Sequence, residues 1–297
     1  MSTHTSVLLD ESVAALNLEP RAVAIDATVG QGGHTEKIAA LVGAHGTVLA
    51  LDADEESLAK AQERLQGVNA HLIFIHGNFR NLKAHAARAG IASADGILFD
   101  LGWHSGQLMS GRGFSFNEDA PLVMTLNVHP EPYQITAADI IANWDEESLT
   151  TLFRENGERF AGRIARTIVE TRQRDPLVRS KQLADLVTSA VPKAWQHRRI
   201  HAATKVFQAL RIAVNDEFGA LRSGITDALE LLAPGGRLAI ITFHSAEDRI
   251  VKHALKAAAQ GGQGTIVTKK PVTPTRSEVI ANHRARSAKL RIFKKHD

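Results

Sequence analysis

Short apolar segments alternate with helix-like segments through the first hundred residues, and this alternation limits the possible folds more than any other feature of the sequence. The apolar segments contain β-branched residues and leucine and are bounded by Gly, Asn or Asp, as buried strands are. The predicted strands are Ala22–Ala27, Thr47–Asp52, His71–His76 and Gly96–Leu101, and the helices between them are Thr35–Val42, Glu55–Gln66 and Phe79–Ala89. Strands joined by helices require right-handed crossovers and a parallel sheet covered on both faces, which predicts an α/β fold.

The middle of the chain breaks this rhythm. Residues 117–203 show helical patterns and little strand-like alternation, and their apolar residues are sufficient for a small core. The predicted helices are Asp145–Asn156, Arg159–Arg174 and Ser180–Ala190, and the candidate core residues are Leu149, Leu152, Phe153, Phe160, Ile164 and Ile168. We predict one domain from 1–116 and 204–297, interrupted by a helical substrate-recognition subdomain at 117–203.

The C-terminal part returns to the α/β pattern. A helix is predicted to end on the Pro-Gly-Gly of Leu231–Gly236, which precedes a strand. The predicted elements are a helix at Thr204–Leu221, a strand at Arg237–Phe243, a helix at Ala246–Ala259, and strands at Thr265–Lys269 and Ala288–Phe293. These strands extend the same sheet.

The composition excludes several classes of protein. The chain has no cysteine, so disulfides, thiol nucleophiles and Cys-ligated metals are excluded. No apolar run approaches the ~20 residues that span a bilayer, and the N-terminus lacks the basic-then-apolar order of a signal peptide. The 14 histidines do not form an H-E-x-x-H spacing, so no metal is expected. We expect a cytoplasmic protein with no membrane association.

The net charge of +3 conceals a strong asymmetry between the two halves of the chain. Residues 1–150 contain 8 Lys and Arg against 19 Asp and Glu, whereas residues 151–297 contain 27 against 13. The halves therefore carry net charges of −11 and +14, which predicts that the second half meets a polyanion.

A glycine-rich turn, Asp26-Ala-Thr-Val-Gly-Gln-Gly-Gly-His34, follows the first strand. Glycines at such a turn let the backbone approach a ligand, and the next helix presents free N–H groups. The turn lacks the last glycine of the G-x-G-x-x-G dinucleotide fingerprint and follows a carboxylate, so it suits a cationic or hydroxyl-rich ligand better than a pyrophosphate. The candidate cofactor contacts are Gly30, Gly32, Gly33 and His34, with His34 alternatively only a polar residue at the helix start.

Asp52 ends the second strand, where a carboxylate can accept both hydroxyls of a ribose. S-adenosylmethionine matches this arrangement because it carries an amine, a sulfonium and a ribose. Phe79 follows the third strand and either flanks an adenine or packs in the core. The pattern therefore predicts S-adenosylmethionine as the cofactor.

Asp100 ends the fourth strand, at the sheet edge where open α/β sheets bind their ligands. An enzyme that methylates an exocyclic base amine needs an acceptor to orient the NH₂ group, and Asp100 is the candidate. Trp103 is the second catalytic candidate, since it either stacks on the base or packs in the core. The turn Gly111–Phe116, which contains Arg112, is either a substrate-gating loop or an ordered connection.

The basic half supplies candidate contacts to a polyanionic substrate. Helix Thr204–Leu221 has an apolar stripe opposite a polar face, Arg159, Arg163 and Arg166 share a face of the inserted segment, and the chain end is densely basic. Together they predict a phosphate-binding surface with a strong salt dependence. The candidates are Arg112, Lys205, Gln208, Arg211, Asn215, His244, Arg284, Arg286 and Arg291.

The chain resembles the RsmH/MraW family, the bacterial small-subunit ribosomal RNA cytosine-N4 methyltransferases, along nearly its whole length. The matching segments are His4–Glu11, Gly30–His34, Asp100–Gly102 with Ser105 and Gln107, Arg112–Phe116, Gly157–Phe160, Phe207–Ile212 with Asn215, His244–Arg249 and Arg286–Arg291.

The resemblance implies a class I, Rossmann-like methyltransferase sheet with an inserted helical domain. It also implies S-adenosylmethionine as methyl donor and a decoding-centre cytidine of the assembled small ribosomal subunit as acceptor. By motif match the cofactor contacts are Gly32, Gly33, His34, Asp52, Phe79, Asp100 and Gln107. The oligomeric state is open between monomer and homodimer.

The sequence departs from the family pattern on the substrate side. Where the family usually continues Val-Ser-Ser-Pro-Gln-Leu-Asp, this chain has Trp103-His-Ser-Gly-Gln-Leu-Met109. Where the family usually has Pro-Leu-Asp-Met-Arg-Met, this chain places Val123 and Thr125 at the acid and the arginine, and Ala202 replaces a usual proline. The cofactor half keeps the pattern, so the resemblance supports methyl-donor binding more strongly than the identity of the acceptor.

The predicted activity is methyl transfer from S-adenosylmethionine to the N4 amine of a ribosomal RNA cytidine. One alternative is the same fold acting on a different RNA or protein amine, which the changes at 103–109 and 123–125 favour. Another is a catalytically silent ribosome-assembly factor that keeps the RNA surface and the cofactor pocket. A nicotinamide-dependent dehydrogenase is the most distant alternative.

Overall fold

The computed structural model describes residues 6–103, 105–127, 133–196 and 201–297. It divides into a sheet unit, Met1–Gly102 with Phe218–Asp297, and a helical unit, Trp103–Glu217. The helical unit includes the predicted subdomain at 117–203. The boundaries 117 and 203, and substrate recognition as the task of that segment, remain predictions.

The sheet unit contains seven strands in the order β3-β2-β1-β4-β5-β7-β6. The strands are β1 Val23–Asp26, β2 Thr47–Asp52, β3 His71–His76, β4 Ala94–Asp100, β5 Leu232–Thr242, β6 Gly264–Ile266 and β7 Lys289–Lys295. Strands β1 to β5 are parallel, while β7 runs antiparallel to both β5 and β6. The predicted α/β class is confirmed.

The helices divide between the two units. In the sheet unit they are α1 Leu9–Leu16, α2 Gly33–Val42, α3 Glu55–Arg64, α4 Leu82–Arg88, α12 Glu217–Leu231 (whose first residue ends the helical unit), α13 Ser245–Gln260 and α14 Arg276–Ala281. In the helical unit they are α5 Ser105–Leu108, α6 Ala137–Asn143, α7 Glu146–Glu155, α8 Ala161–Arg172, α9 Ser180–Ala190, α10 Lys193–Gln196 and α11 Thr204–Asn215. Short 3-10 helices lie at Phe79–Asn81 and His283–Ser287. Among the described residues no helix has the length and apolarity needed to cross a membrane.

Helices cover both faces of the sheet because its central strands are apolar on both sides. In β4 the side chains alternate, so Ile97 and Phe99 join a core that includes residues of α12 and α13, such as Ile225. Leu98 faces the opposite core, which includes Ile38 of α2. The order β2-β1-β4 reverses the direction of winding at β1, and ligands of such sheets bind at the carboxyl ends of the strands beside that point.

The helical unit has a core of its own. Of the predicted core residues, Leu149, Phe153, Ile164 and Ile168 are fully buried. Leu152 and Phe160 are partly buried and pack against the same core. The residues that helical spacing predicted to be apolar core therefore do pack together in the middle of the chain.

Some element boundaries were predicted wrongly. The helix predicted at Thr204–Leu221 is two helices, because Asp216 adopts the left-handed conformation with φ of 44° and ends α11. Aspartate tolerates this conformation better than most residues. Strand β5 begins at Leu232 and incorporates the Pro-Gly-Gly that was assigned to a helix end, so the helix stops at Leu231. Phe79–Ala89 is a 3-10 turn followed by α4, and β6 is shorter than the strand predicted at Thr265–Lys269.

Candidate active site

Three neighbouring parallel strands each end in an aspartate. Asp26 ends β1, Asp52 ends β2 and Asp100 ends β4, and β1 lies between the other two. Because parallel strands present their carboxyl ends at one edge, the three carboxylates lie on the same edge of the sheet. We call Asp26, Asp52 and Asp100 the acidic row.

Asp26 organises the turn that follows it. Its Oδ2 accepts a hydrogen bond from the Thr35 hydroxyl at 2.7 Å, and its Oδ1 accepts one from the Thr28 amide at 3.2 Å. The Thr28 hydroxyl in turn accepts a hydrogen bond from the Asp100 amide at 2.6 Å. Burial raises the pKa of Asp26, while His34 and Thr35 act in the opposite direction. Sequence analysis missed Thr28 and Thr35, although both lie within or beside the glycine-rich turn.

Asp52 connects the end of β2 to the same turn. Its carboxylate accepts hydrogen bonds from the Gly30 amide at 2.8 Å and from the Asp54 amide at 2.9 Å. Burial raises the pKa of Asp52 to about 7, against the lowering effect of these two amides. These two hydrogen bonds hold the carboxylate at the sheet edge. A hydroxyl-bearing or cationic neighbour there would stabilise its ionised form.

The glycine-rich turn adopts conformations that favour glycine. Gly30 and Gly32 have φ values of 52° and 83°, and Gly32 caps the N-terminus of α2. Gly33 is needed for space, because a Cβ at this position would overlap the hydroxyl of Ser6. Gly30 is the open position of the turn, because a Cβ there would meet nothing nearer than the Thr28 carbonyl oxygen at 4.0 Å, so a ligand could approach its main chain.

His34 lies buried behind Asp100. Its Nε2 is 3.2 Å from the Val7 carbonyl oxygen, and its Nδ1 is 3.7 Å from Asp100 Oδ2. Burial lowers the pKa of His34, although Asp26 raises it. His34 is therefore more than a polar residue at a helix start, since its ring joins the N-terminal segment to the acidic row.

The side chain of Asp100 is more exposed than that of His34. It is 16% exposed, compared with 5% for His34, and its Oδ1 accepts a hydrogen bond from the Gly102 amide at 3.1 Å. Burial raises the pKa of Asp100 to about 7. One carboxylate oxygen is thus held by the backbone, and the other faces the His34 ring.

Phe79 lies in the turn after β3, at the same sheet edge. Its ring packs edge-on against Phe99 with 5.4 Å between ring centroids, and it contributes to the core of the sheet unit. Gly77 in the same turn packs against the imidazole of His85, where a Cβ would come within 2.6 Å of two ring atoms. The structure therefore supports the core role of Phe79, and its contact with an adenine remains a prediction.

Within the helical unit, Trp103 is partly buried and packs against other side chains. Its ring lies 4.8 Å from that of Phe114 between centroids, and the Arg211 guanidinium carbon lies 4.5 Å from its centroid. Arg211 also makes a two-pronged ion pair with Glu217, at 2.7 and 2.9 Å. These contacts favour packing over base stacking for Trp103, and sequence analysis had missed Glu217.

Two other candidates in this unit bind backbone. The buried Arg112 donates to the carbonyls of Thr125 and Leu126, at 3.1 and 2.5 Å. Asn215 donates to the Met124 carbonyl at 2.8 Å and accepts from the Leu126 amide at 2.9 Å. Both residues hold the segment that departs from the family pattern.

The remaining candidates of the helical unit differ in exposure. Lys205 is exposed, Gln208 is half-buried and Gln107 is buried. His4, Thr5 and His104, which belong to the matching or departing motifs, lie outside the described residues. The contacts of Lys205, Gln208 and Gln107 with substrate or cofactor remain predictions.

The basic C-terminal segment is only partly available to a polyanion. Arg291 and Lys289 both donate to the Asp248 carboxylate, at 2.7 and 2.9 Å, whereas Arg284 and Arg286 are exposed. His244 caps α13 in a reciprocal arrangement with Glu247, whose carboxylate lies 2.8 Å from His244 Nε2. Arg291 and His244 therefore have structural roles, and their contacts with RNA remain predictions.

The residues of the sheet edge fit S-adenosylmethionine. The acidic row offers buried carboxylates with raised pKa values, which a cationic ligand would stabilise in their ionised form. Asp52 carries the carboxylate predicted to accept ribose hydroxyls, and Gly30 beside it is open, since a Cβ there would meet nothing nearer than 4.0 Å. Among the described residues no group of three or more His, Asp or Glu side chains could hold a metal ion.

Several known proteins are similar to this chain. A solved S-adenosylmethionine-dependent O-methyltransferase from Thermotoga maritima is 12% identical with a TM-score of 0.44, covering 100% of this chain and 69% of that chain. The ribosomal RNA small subunit methyltransferase H of Brevibacillus brevis is 40% identical over 98% of both chains. The protein of the same name from Clostridioides difficile is 38% identical over 98% of both chains. A family model described as the MraW methylase family matches residues 1–296, and thus both units.

Proposed function

This chain belongs to the MraW methylase family, and from that premise we propose that it methylates the N4 amine of a cytidine in the decoding centre of small-subunit ribosomal RNA. S-adenosylmethionine is the methyl donor. The acidic row is the observation that carries the proposal, because it places three carboxylates, two buried and that of Asp100 partly exposed, beside the glycine-rich turn at the ligand-binding edge of the sheet. When bound, S-adenosylmethionine supplies an electrophilic methyl group on a sulfonium.

Asp100 provides the acceptor that the substrate needs. The lone pair of cytosine N4 is delocalised into the ring, so the amine is a weak nucleophile. A carboxylate that accepts a hydrogen bond from the NH₂ group orients it and favours the geometry in which the lone pair is exposed. The Asp100 carboxylate suits this role because it is partly exposed and one of its oxygens is anchored by the Gly102 amide.

The partner is the small ribosomal subunit in the cytoplasm. The relatives from Brevibacillus brevis and Clostridioides difficile are named ribosomal RNA small subunit methyltransferases, and this chain matches them end to end. The exposed cations Arg159, Arg163 and Lys205 of the helical unit support an RNA substrate. The protein acts as a monomer or a homodimer.

The experiment is label transfer from methyl-tritiated S-adenosylmethionine into small subunits that lack the modification, with naked ribosomal RNA in parallel, followed by nucleoside analysis. The expected product is N4-methylcytidine. Asp100→Asn should reduce transfer by roughly 10² or more while RNA binding changes little. Asp185→Asn, an exposed substitution in α9, is the matched control and should retain full activity. Full activity of Asp100→Asn would contradict the role of Asp100.

A different acceptor amine is the second candidate, and the segment 123–125 favours it. Thr125 is fully buried and its hydroxyl donates to the Asn127 carbonyl at 2.8 Å, so it does not replace the arginine that the family usually has here. A labelled product other than N4-methylcytidine would support this candidate. Cofactor binding and stoichiometric subunit binding without label transfer would instead indicate a silent assembly factor.

A further inference from the structure

The exposed face of α13 carries charges of one sign. Its basic side chains follow one another at spacings of three and four residues, so they form a single stripe along the helix. The four residues are Arg249, Lys252, His253 and Lys256, and all of them are exposed. The side chains of Arg249, Lys252 and Lys256 make no ion pair or hydrogen bond within the described part of the chain. We call these three cations the α13 ridge.

The acidic residues of the same helix are turned away from this stripe. Glu247 and Asp248 are both buried. The Glu247 carboxylate accepts a hydrogen bond from the Phe243 amide at 2.9 Å, and the Asp248 carboxylate accepts from Lys289 and Arg291. The acids of α13 therefore have partners inside the sheet unit, whereas its cations face solvent.

Helix α3 provides a comparison within the same unit. Its exposed charged side chains mix both signs, as is typical of a solvated helix face, and they are Glu55, Glu56, Lys60, Glu63 and Arg64. α3 covers the opposite face of the sheet, because Leu58 joins Ala50 in one core while Val251 of α13 joins Leu51 in another. A stripe of one sign, unlike the mixed face of α3, attracts a polyanion.

The α13 ridge begins beside the acidic row. Asp100 of β4 lies opposite Ile241 near the end of β5, and α13 starts soon afterwards at Ser245. The charge of Glu247 in the first turn of α13 raises the pKa of Asp100. Strands β5 and β6 run parallel, since both are antiparallel to β7, so α13 leads away from the ligand-binding edge. The ridge therefore extends for about 10 Å along the helix, with Arg249 nearest to the acidic row.

We propose, as an inference that rests on the proposed function, that the α13 ridge binds the phosphate backbone of the ribosomal RNA beside the target nucleotide. The ligand is a run of consecutive phosphates, which a linear stripe of cations complements in charge and in shape. The ridge belongs to the sheet unit, so this contact is additional to those of Arg159, Arg163 and Lys205 in the helical unit. Phosphates carry no base identity, so the ridge contributes affinity and register and does not select the base.

Removal of two ridge cations tests the contact. Each phosphate contact with a single strand releases about 0.7 counterion, so Lys252→Ala/Lys256→Ala should lower the slope of log Kd against log salt by about 1.4. The Kd for small subunits should rise roughly tenfold near physiological salt. Lys252→Arg/Lys256→Arg should retain the wild-type slope and Kd, because arginine keeps the charge.

Lys60→Ala is the matched control for the single variant Lys252→Ala. Both remove one exposed cation from a helix of the sheet unit, but Lys60 lies on the mixed face of α3. Lys252→Ala should lower the slope by about 0.7, and Lys60→Ala should leave it unchanged. Equal effects of the two variants overturn the proposal, because the loss would then follow net charge. An unchanged slope and Kd in Lys252→Ala/Lys256→Ala also overturns it.

The same variants separate binding from folding and chemistry. Lys252→Ala/Lys256→Ala should keep the wild-type Tm, the Kd for S-adenosylmethionine and the single-turnover rate at saturating subunits, while kcat/KM falls with subunit affinity. A fall in Tm or in cofactor affinity that the arginine variant does not restore assigns the ridge a structural role and overturns the proposal.

A second test leaves every cation in place. The chain has no cysteine, so Ala257→Cys introduces a single thiol beside the ridge for a tethered iron–EDTA probe, which cleaves nearby RNA backbone. Ala59→Cys, at an exposed alanine of α3, is the matched control. Cleavage of ribosomal RNA in bound small subunits is expected from position 257 and not from position 59.

The absence of cleavage from position 257, in a complex that still transfers methyl groups, overturns the proposal. If Lys252→Ala/Lys256→Ala nevertheless loses affinity for subunits, the ridge contacts an acidic ribosomal protein instead. The wild-type product is analysed first: a nucleoside other than N4-methylcytidine contradicts the proposed function. A correct product with an unchanged salt slope and no cleavage from position 257 rejects only the role of the ridge.

Discussion

The three aspartates of the acidic row have the same side chain, but their different surroundings give them different roles. Burial is the largest cause of the raised pKa in all three carboxyls. Both oxygens of Asp26 accept hydrogen bonds, from the Thr28 amide and the Thr35 hydroxyl. The carboxylate of Asp52 accepts hydrogen bonds from two backbone amides. Asp100 is the residue of the row with a backbone-anchored oxygen on one side and a titratable neighbour, His34, on the other.

The raised pKa of Asp52 predicts pH-dependent cofactor binding. The carboxyl of the free protein ionises at about pH 7, and a cation prefers the ionised form, so affinity should increase as the pH rises through 7. One such group is about 10% ionised at pH 6 and about 90% at pH 8, so the Kd for S-adenosylmethionine should fall up to about tenfold. Isothermal titration calorimetry measures this Kd. Asp52→Asn should bind more weakly and with a flatter pH dependence, and a wild-type Kd that is equal at pH 6 and pH 8 contradicts the prediction.

Position 77 requires glycine because there is no room for a Cβ, not because of its backbone conformation. Its φ is not positive, but a Cβ would lie 2.6 Å from ring atoms of the buried His85. Gly77→Ala should lower the free energy of unfolding by roughly 1–3 kcal/mol and weaken cofactor binding, because the turn that carries Phe79 has to shift. Gly261→Ala is the control, since its Cβ would meet nothing closer than 3.4 Å. Chemical denaturation and calorimetry check both, and a Gly77→Ala/His85→Ala double variant should lose less than the sum of its single variants.

At the scale of elements, one side chain of α11 fixes a segment far away in the sequence. Asn215 holds Met124 and Leu126 through its amide, and Met124 has a φ of 57°, which is rare for a residue with a side chain. Asp216 then ends the helix in the same left-handed region. The break in α11 and the shape of the 124–126 segment therefore both lie next to Asn215.

Asn215→Ala should destabilise this segment. It removes bonds to the Leu126 amide, the Met124 carbonyl and the Arg211 carbonyl, so we expect a loss of about 1–3 kcal/mol and faster amide exchange at 124–126. Asn156→Ala is the matched control, because Asn156 also donates to a carbonyl four residues earlier in its helix. Denaturation and hydrogen exchange distinguish the two, and equal losses would refute the role given to Asn215.

At the scale of the whole molecule, the excess of positive charge in the second half is only partly available to RNA. Arg211, Arg291 and Arg179 are tied to the carboxylates of Glu217, Asp248 and Asp119. Arg159 and Lys205 are exposed and make no ion pair within the described part of the chain. Counting charges in the sequence therefore overstates the phosphate-binding surface.

The salt dependence of RNA binding measures how many cations are used. Five exposed candidates are Arg159, Arg163, Lys205, Arg284 and Arg286; Arg166 is also exposed but lies 3.3 Å from the Glu146 carboxylate, so it is not counted. Single-stranded RNA releases about 0.7 counterion per contact, so their share of the slope of log Kd against log salt should not exceed about 3.5. Arg159→Ala and Lys205→Ala should each lower the slope by about 0.7, and Arg179→Ala should leave it unchanged. A slope that responds to Arg179→Ala and not to the other two contradicts this assignment.

The sequence alone determined the α/β class and the position of each aspartate of the acidic row at the end of a strand. These properties follow from local periodicity and from the rule that parallel strands present their carboxyl ends at one edge. The glycine turn and the helical insert were predictable for the same reason, because glycines and apolar spacing are visible in the chain itself. The family resemblance implies the same methyl donor that the glycine-rich turn and Asp52 predict, and it added a ribosomal RNA cytidine as the expected acceptor.

The tertiary structure decided which of the predicted residues are free to act. Several of them form hydrogen bonds with residues distant in the sequence. These pairs are Arg291 with Asp248 on α13, Asn215 with Met124, and His34 with Val7. Burial, which raises the pKa of Asp100 to about 7 and lowers that of His34, depends on the packing of several elements at once. A sequence pattern indicates which chemical groups are present. Their hydrogen bonds and their desolvation depend on neighbours that only the folded chain brings together.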